Sequence, residues 1–338
     1  MKVLFYDPAT PKSYTELMLS GASLGGTEAT VLRVARGLQG RHEVYLAQHC
    51  RALSEETVIG GVHYLSFDSA HALKPAVVIL LRQVEWVDSV AERFPQARRF
   101  LWLHNLPSAR LYQHRHSLAA NQFEVIAVSE FHRAHIRRKL AGNWYQRLCE
   151  GRRDASSIPV HLIYNPIPDE LRPDPTAWNP HQLIFMSAPY KGLEQTLAIF
   201  ERVRKARPQY ELLLTDPGHR PHQLKLPAQV RSLGSLLRPQ ALRHLRESFC
   251  VFYPQRRRQE TFGLVYAEAN AVGTPVLAHD FGAASEILSS PSQLINSKQF
   301  SQVLNKLEEW QTQRPVLQAK ESFRLSKVIQ SWLELFES

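Results

Sequence analysis

The chain has 338 residues, of which 44% are hydrophobic and 21% charged, with three cysteines and a formal net charge of +10. This balance excludes a disordered, collagenous or disulfide-dense chain, and the length implies about two domains at ~100–200 residues each. The longest apolar run, Ala76 to Leu81, falls far short of the ~20 residues that a membrane-spanning helix needs.

In chain order, short β-branched and aromatic runs predict strands at Val3–Tyr6, Val44–Ala47, Val62–Phe67, Val77–Leu81, Phe100–Leu103, Val125–Val128 and His161–Tyr164. Helical patterns lie between them, as at Glu28–Leu38 and Glu130–Leu140. Asn165-Pro166-Ile167-Pro168 then opens a proline-rich stretch through Pro173, Pro175 and Pro180. Proline at that density forbids a regular helix and predicts an extended connector. The rhythm resumes with strands at Leu183–Met186, Glu211–Thr215, Val230–Leu233, Cys250–Tyr253 and Pro275–Ala278. Helices are predicted at Leu193–Ala206, Gln240–Ser248, Leu264–Val272 and, at the end, Lys320–Phe336. Strand–helix alternation of this kind predicts an α/β chain of two doubly wound, Rossmann-like domains, with ligands taken beyond the carboxyl ends of the strands.

Cys50, Cys149 and Cys250 form neither a CxxC pair nor a zinc spacing, so no metal site is expected from them. Reduced thiols fit a cytoplasmic protein, and the apolar run after Met1 is too short for a signal peptide. The positive charge fits nucleic acid, an anionic membrane or anionic small molecules, or solubility alone. No helix-turn-helix, RRM or zinc pattern accompanies it, so no nucleic-acid partner is expected.

Five segments can carry chemistry. Gly25-Gly26-Thr27-Glu28 precedes a helix, where paired glycines and free N–H groups suit a phosphate or a hydroxyl, or simply a turn. His104 ends a predicted strand, in a position to hydrogen-bond a sugar hydroxyl or to cap the strand. Ser187-Ala188-Pro189-Tyr190-Lys191-Gly192 puts a lysine at a helix start, suited to a diphosphate. Glu260-Thr261-Phe262-Gly263-Leu264-Val265-Tyr266-Ala267-Glu268 is the most specific: one glutamate before a helix and one within it, separated by a glycine that allows a tight entry. Arg133, Arg137, Arg138, Lys139, Trp144, Tyr145, Arg147, Arg152 and Arg153 form a basic and aromatic segment, 133–153, suited to peripheral contact with the inner face of an anionic membrane or to plain solvation.

Together these segments resemble the retaining glycosyltransferase family 4, the glycosyl transferases group 1, of GT-B fold. Gly25-Gly26-Thr27-Glu28 is similar to its GGxE loop, Val128-Ser129-Glu130-Phe131 to its strand end, Ile163-Tyr164-Asn165-Pro166 to its interdomain entry and Lys191-Gly192 to its KG pair. Glu260 to Glu268 matches its E-x7-E signature, followed by Ala271-Val272-Gly273-Thr274-Pro275-Val276 and Ser285-Glu286-Ile287. The resemblance implies an acceptor-binding domain over 1–166, a donor-binding domain over 167–318 facing it across a cleft, and a terminal helix at 319–338 packing back on the first domain. It implies that His104 and Glu260 contact the transferred sugar and that Glu268 binds the ribose, with Leu264 and Val265 on the nucleotide. Gly25, Gly26, Lys191, Phe262 and Gly263 would hold the diphosphate.

The expected activity is transfer of a hexose from a UDP-, GDP- or ADP-sugar to a hydroxyl acceptor such as a glycan or lipid-linked sugar, with retention and without a bound cofactor or metal. No Asp-x-Asp motif is present. The family places an arginine a few residues before the KG lysine, and Leu183 to Lys191 contains none, which makes Arg256, Arg257 or Arg258 the candidates for that charge, Arg256 and Arg258 foremost. A GT-B sugar phosphorylase or epimerase and a non-catalytic nucleotide-sugar or glycan-binding protein are the alternative readings.

Overall fold

The computed structural model describes residues 1–20, 24–142, 158–215 and 225–338. They form two compact units: Met1–Glu16, Thr30–Pro166 and Leu325–Ser338 make the first, and Leu17–Ala29 and Ile167–Arg324 the second.

The first unit is built on an eight-stranded sheet. Its strands are β1 (Lys2–Asp7), β2 (Glu43–Gln48), β3 (Thr57–Ile59), β4 (Val62–Leu65), β5 (Val77–Leu81), β6 (Arg98–Trp102), β7 (Phe123–Ala127) and β8 (Val160–Leu162), in the order β3-β4-β2-β1-β5-β6-β7-β8. All neighbours are parallel except the β3–β4 edge. Runs such as Val77-Val78-Ile79-Leu80-Leu81 are buried along their whole length, as strands covered on both faces must be. The strand predicted at Val62–Phe67 stops at Leu65, because the Ser66 hydroxyl accepts from Ser69 N at 3.3 Å and caps a short helix, Phe67–His71.

The Leu325–Glu337 helix belongs to this unit and buries Val328, Trp332, Leu333 and Leu335. The Trp332 ring lies 4.8 Å from Trp102 and 6.3 Å from Phe5. Gly37, on the Gly26–Leu38 helix, lets this helix come close: a Cβ there would stand 2.5 Å from Ile329 Cδ1.

The second unit holds a fully parallel six-stranded sheet: β9 (Asn179–Met186), β10 (Glu211–Thr215), β11 (Val230–Ser232), β12 (Ser248–Tyr253), β13 (Val276–His279) and β14 (Leu294–Ile295), ordered β11-β10-β9-β12-β13-β14. Strand β9 starts four residues before the predicted Leu183, inside the proline-rich stretch. Pro180 is tolerated because it stands at the strand's beginning, where the register against β12 is already irregular.

The single helix predicted over Lys320–Phe336 is interrupted. A 3₁₀ turn, Glu321–Phe323, is followed by extended Arg324 at φ −62° and ψ 140° before the helix starts at Leu325. Arg324 bridges to Ile167, and its buried guanidinium donates to the carbonyls of Leu171 at 2.7 Å and Pro168 at 3.3 Å. Those carbonyls draw the arginine out of helical geometry.

Candidate active site

In the second unit, the chain leaving β12 wraps around one side chain. Buried Gln255 accepts from Arg257 N at 2.8 Å and Arg258 N at 3.0 Å through Oε1, and donates from Nε2 to Arg258 O at 2.8 Å. Arg256 N donates to Gln195 Oε1 at 2.7 Å. The arginine run is thus a tight turn held by two glutamines. The Arg257 and Arg258 side chains are exposed, and the Arg258 guanidinium lies 5.9 Å from the Tyr190 ring centroid.

This turn delivers Glu260 into the fold. Its side chain is 8% exposed, and Lys191 Nζ donates to its two oxygens at 3.0 and 2.9 Å. Tyr253 adds a phenolic donor to Oε1 at 2.8 Å. Burial, reinforced by the Glu260 charge, pushes the Tyr253 phenol well above its usual range, so it remains a donor. Burial opposes the charge on Lys191, but Glu260 outweighs it and the ammonium is held above its ordinary value. The carboxylate is therefore surrounded by donors rather than left as a buried free charge. Its backbone is fixed as well. Ala283 N donates to Glu260 O at 3.0 Å, and Gly282, at φ +69°, packs so close that a Cβ would be 2.9 Å from the Glu260 amide.

Gly263 then turns the chain into the Leu264–Ala271 helix at φ +86°, where a Cβ would sit 2.6 Å from the Tyr266 ring. Phe262 is buried edge-on against Phe323, 5.2 Å away. Leu264 and Val265 are half-buried on the first helical turn. Glu268, one turn further, takes a hydrogen bond from the Arg238 guanidinium to Oε1 at 2.9 Å. The helix is locked at its other end by buried Asn270, which exchanges hydrogen bonds with Gln293 at 2.8 and 3.0 Å. Gly26 also reaches this helix: a Cβ there would lie 3.2 Å from Leu264 Cδ1. Gly25 accepts from Ala29 N at 3.0 Å and leaves room for the Glu28 carboxylate.

In the second unit, the structure therefore joins Lys191 to Glu260 and sets Gly26 against Leu264. It adds Tyr253 and Arg238, which sequence reasoning missed. Tyr253 stands at the carboxyl end of a predicted strand, a signal that could have found it. Arg238 gives no local signal.

In the first unit, His104 follows β6 and is 7% exposed, with its ring 4.5 Å from Trp102. Burial, then the positive Arg82 and the neighbouring His132, hold its pKa well below the ordinary value, so the imidazole is neutral near pH 7. Arg82 has a left-handed φ of 67° and is held by buried Asp7, whose oxygens accept from it at 2.8 and 2.9 Å. Tyr14 donates to the same carboxylate at 2.8 Å.

His132 lies on the Glu130–Ala141 helix. It accepts from Val128 N at 3.3 Å on Nδ1 and bonds Asn105 O at 2.8 Å through Nε2, which is then the protonated nitrogen. Ser129 caps the Glu130–Ala141 helix by accepting from His132 N at 2.9 Å. On that helix Arg137 and Arg138 are exposed, and Arg133 pairs with Glu130 at 2.7 Å. Trp144, Tyr145, Arg147, Arg152 and Arg153 lie outside the described residues. Among the described residues, no group of His, Cys, Asp or Glu could hold a metal ion, and no helix is long and apolar enough to cross a membrane.

Two Rossmann-like units, one of them carrying a lysine–glutamate pair at a glycine-initiated helix, define the GT-B fold class. Residues 181–321 match the model of the glycosyl transferases group 1. Solved structures agree on the fold along the whole chain. HepE from Anabaena, in complex with UDP and glucose, is 16% identical with a TM-score of 0.67, covering 100% of this chain and 99% of its own. Sucrose-phosphate synthase from Thermosynechococcus elongatus is 15% identical with a TM-score of 0.72, covering 99% and 98%. A UDP-forming α,α-trehalose-phosphate synthase from Burkholderia xenovorans, in complex with glucose-6-phosphate, is 10% identical with a TM-score of 0.67, covering 99% of each chain. Comparison with curated proteins gave no match.

Proposed function

We propose that this protein transfers a hexose from a nucleoside diphosphate sugar to a hydroxyl acceptor, with retention of anomeric configuration. The observation that carries the reading is the Lys191–Glu260–Tyr253 cluster, whose Glu260 stands just before the amino terminus of the Leu264–Ala271 helix. A nearby cation and free helix N–H groups suit a diphosphate leaving group, whose charge grows as the glycosidic bond breaks. Glu260 and His104 are assigned to the hydroxyls of the transferred sugar, and Glu268 to the ribose. The neutral imidazole of His104 fits a hydrogen-bonding role rather than a cationic one. Lys191, Gly25, Gly26, Phe262 and Gly263 are assigned to the diphosphate, with Arg256 and Arg258 on a turn that can present further charge. The UDP and glucose of the Anabaena structure support a uridine nucleotide and a hexose as the first donors to test. The exposed Arg137 and Arg138 support peripheral contact with anionic lipid.

The test is a panel of UDP-, GDP- and ADP-hexoses read by thermal stabilisation, since a ligand that binds the native state raises Tm. Turnover is then measured over hydroxyl acceptors, with and without EDTA. One donor stabilising the protein, and acceptor-dependent release of its nucleoside diphosphate, is the expected result. Stabilisation without release over a broad acceptor panel would replace the enzyme by a binding protein. Release that needs phosphate would make it a phosphorylase.

A further inference from the structure

Each glutamate of the E-x7-E signature has its own cation. Lys191 holds Glu260, and Arg238, thirty residues before Glu268 in the chain, holds Glu268 at 2.9 Å. We propose that Arg238 is a positioning residue for the nucleoside end of the donor site, orienting Glu268 toward the vicinal hydroxyls of a ribose. The inference rests on the reading of this site as a nucleoside diphosphate site.

Three observations carry it. Arg238 is the first residue of the Arg238–Glu247 helix, with Pro239 next, so its backbone is fixed where the helix begins. Its side chain is 26% exposed and that of Glu268 16%, so the pair is only partly open to solvent and is less screened than a surface ion pair. The Glu268 charge, with a smaller contribution from Glu170, raises the already high pKa of the guanidinium, so the cation persists at every physiological pH.

A site that must hold a diphosphate and also a carboxylate for ribose brings like charges together. That repulsion either protonates the carboxylate or weakens the phosphate. An arginine on one oxygen relieves both: it keeps the carboxylate ionised, and so able to accept from two hydroxyls, and it offsets its charge. The arginine the family places before the KG lysine is absent between Leu183 and Lys191. In this chain a second cation reaches the signature from the start of the Arg238–Glu247 helix instead.

The experiment measures binding of UDP and 2′,3′-dideoxy-UDP to the full chain and to R238A, R238Q and R238K, with GDP and ADP in parallel. Wild type is expected to prefer the ribose form. R238A and R238Q should lose about tenfold or more of nucleoside diphosphate affinity and most of the preference for ribose over dideoxyribose. R238K should recover part of both. In turnover, R238A should raise the donor KM with kcat little changed. A purely structural arginine would lower Tm without altering the ribose preference. R238A with unchanged affinity and preference overturns the proposal, as does tighter binding, which would make Arg238 a competitor of the ribose. Wild type that binds none of the three nucleotides overturns the nucleotide-sugar reading itself, a separate and distinguishable failure.

Discussion

Gly192 and Gln255 interlock: a Cβ on Gly192 would stand 2.6 Å from the Cβ of Gln255, and Gly192 has a φ of +96°. The KG pair and the arginine turn are therefore one construction. Gly192→Ala forces both a left-handed alanine and a displaced Gln255, and is expected to cost roughly 1–3 kcal/mol. Because Gln255 shapes the turn before Glu260, donor binding should weaken as well. Urea denaturation and nucleotide titration of the same variant check both effects.

Glu260→Ala should lower transfer by about 10²–10³-fold while leaving the protein folded. It leaves Lys191 and Tyr253 without their shared acceptor, so Lys191 loses the charge that raises its pKa. Near-wild-type turnover in a folded Glu260→Ala protein, judged by circular dichroism and a steady-state assay, would remove this residue from the reaction.

Acid should destabilise the first unit through His132. The ring is fully buried, and burial moves its pKa from 6.5 down to about 4 despite the bond to Asn105. The unfolded chain then binds more protons than the folded one between those values, so stability is intact above pH 6.5 and falls as pH drops toward 4. The loss from this residue is roughly 3 kcal/mol. His132→Asn should flatten the dependence over that window in denaturation curves taken from pH 7 to 4. A slope as steep as that of wild type would assign the acid sensitivity elsewhere.

Trp332→Ala removes the ring that packs on Trp102 and Phe5. The expected cost is about 3–5 kcal/mol, the range for deleting a large buried aromatic. Calorimetry of the full chain should show the loss. A change under about 1 kcal/mol would mean that the helix contributes little to the core.

Most of the sheet was legible because a strand covered on both faces needs a continuous apolar run, as at Val77–Leu81 and Cys250–Tyr253. The short edge strands β3 and β14 were not, since two or three residues carry no periodicity. The Phe300–Thr312 helix carries a sequence signal of its own, with Val303, Leu307 and Trp310 buried at helical spacing. In the site, Glu260 and Glu268 could be found by their separation along one segment. Lys191 could be found as well, but not its grip on Glu260, which joins residues 69 apart. Arg238 and Gln255 were invisible for the same reason. The neutrality of His104 depends on what packs around it, and that is decided by the fold rather than by neighbours in the chain.

After an early passage at Leu17–Ala29, the chain enters the second unit again at Ile167 and returns to the first at Leu325. Leu17–Ala29 has long emerged when Arg324 is added, so every piece of the second unit is already present. The first unit must wait, with Phe5 and Trp102 lacking the Trp332 ring, until the residues beyond Leu325 arrive. A chain released after Arg324 has every piece of the second unit but lacks the helix that closes the first.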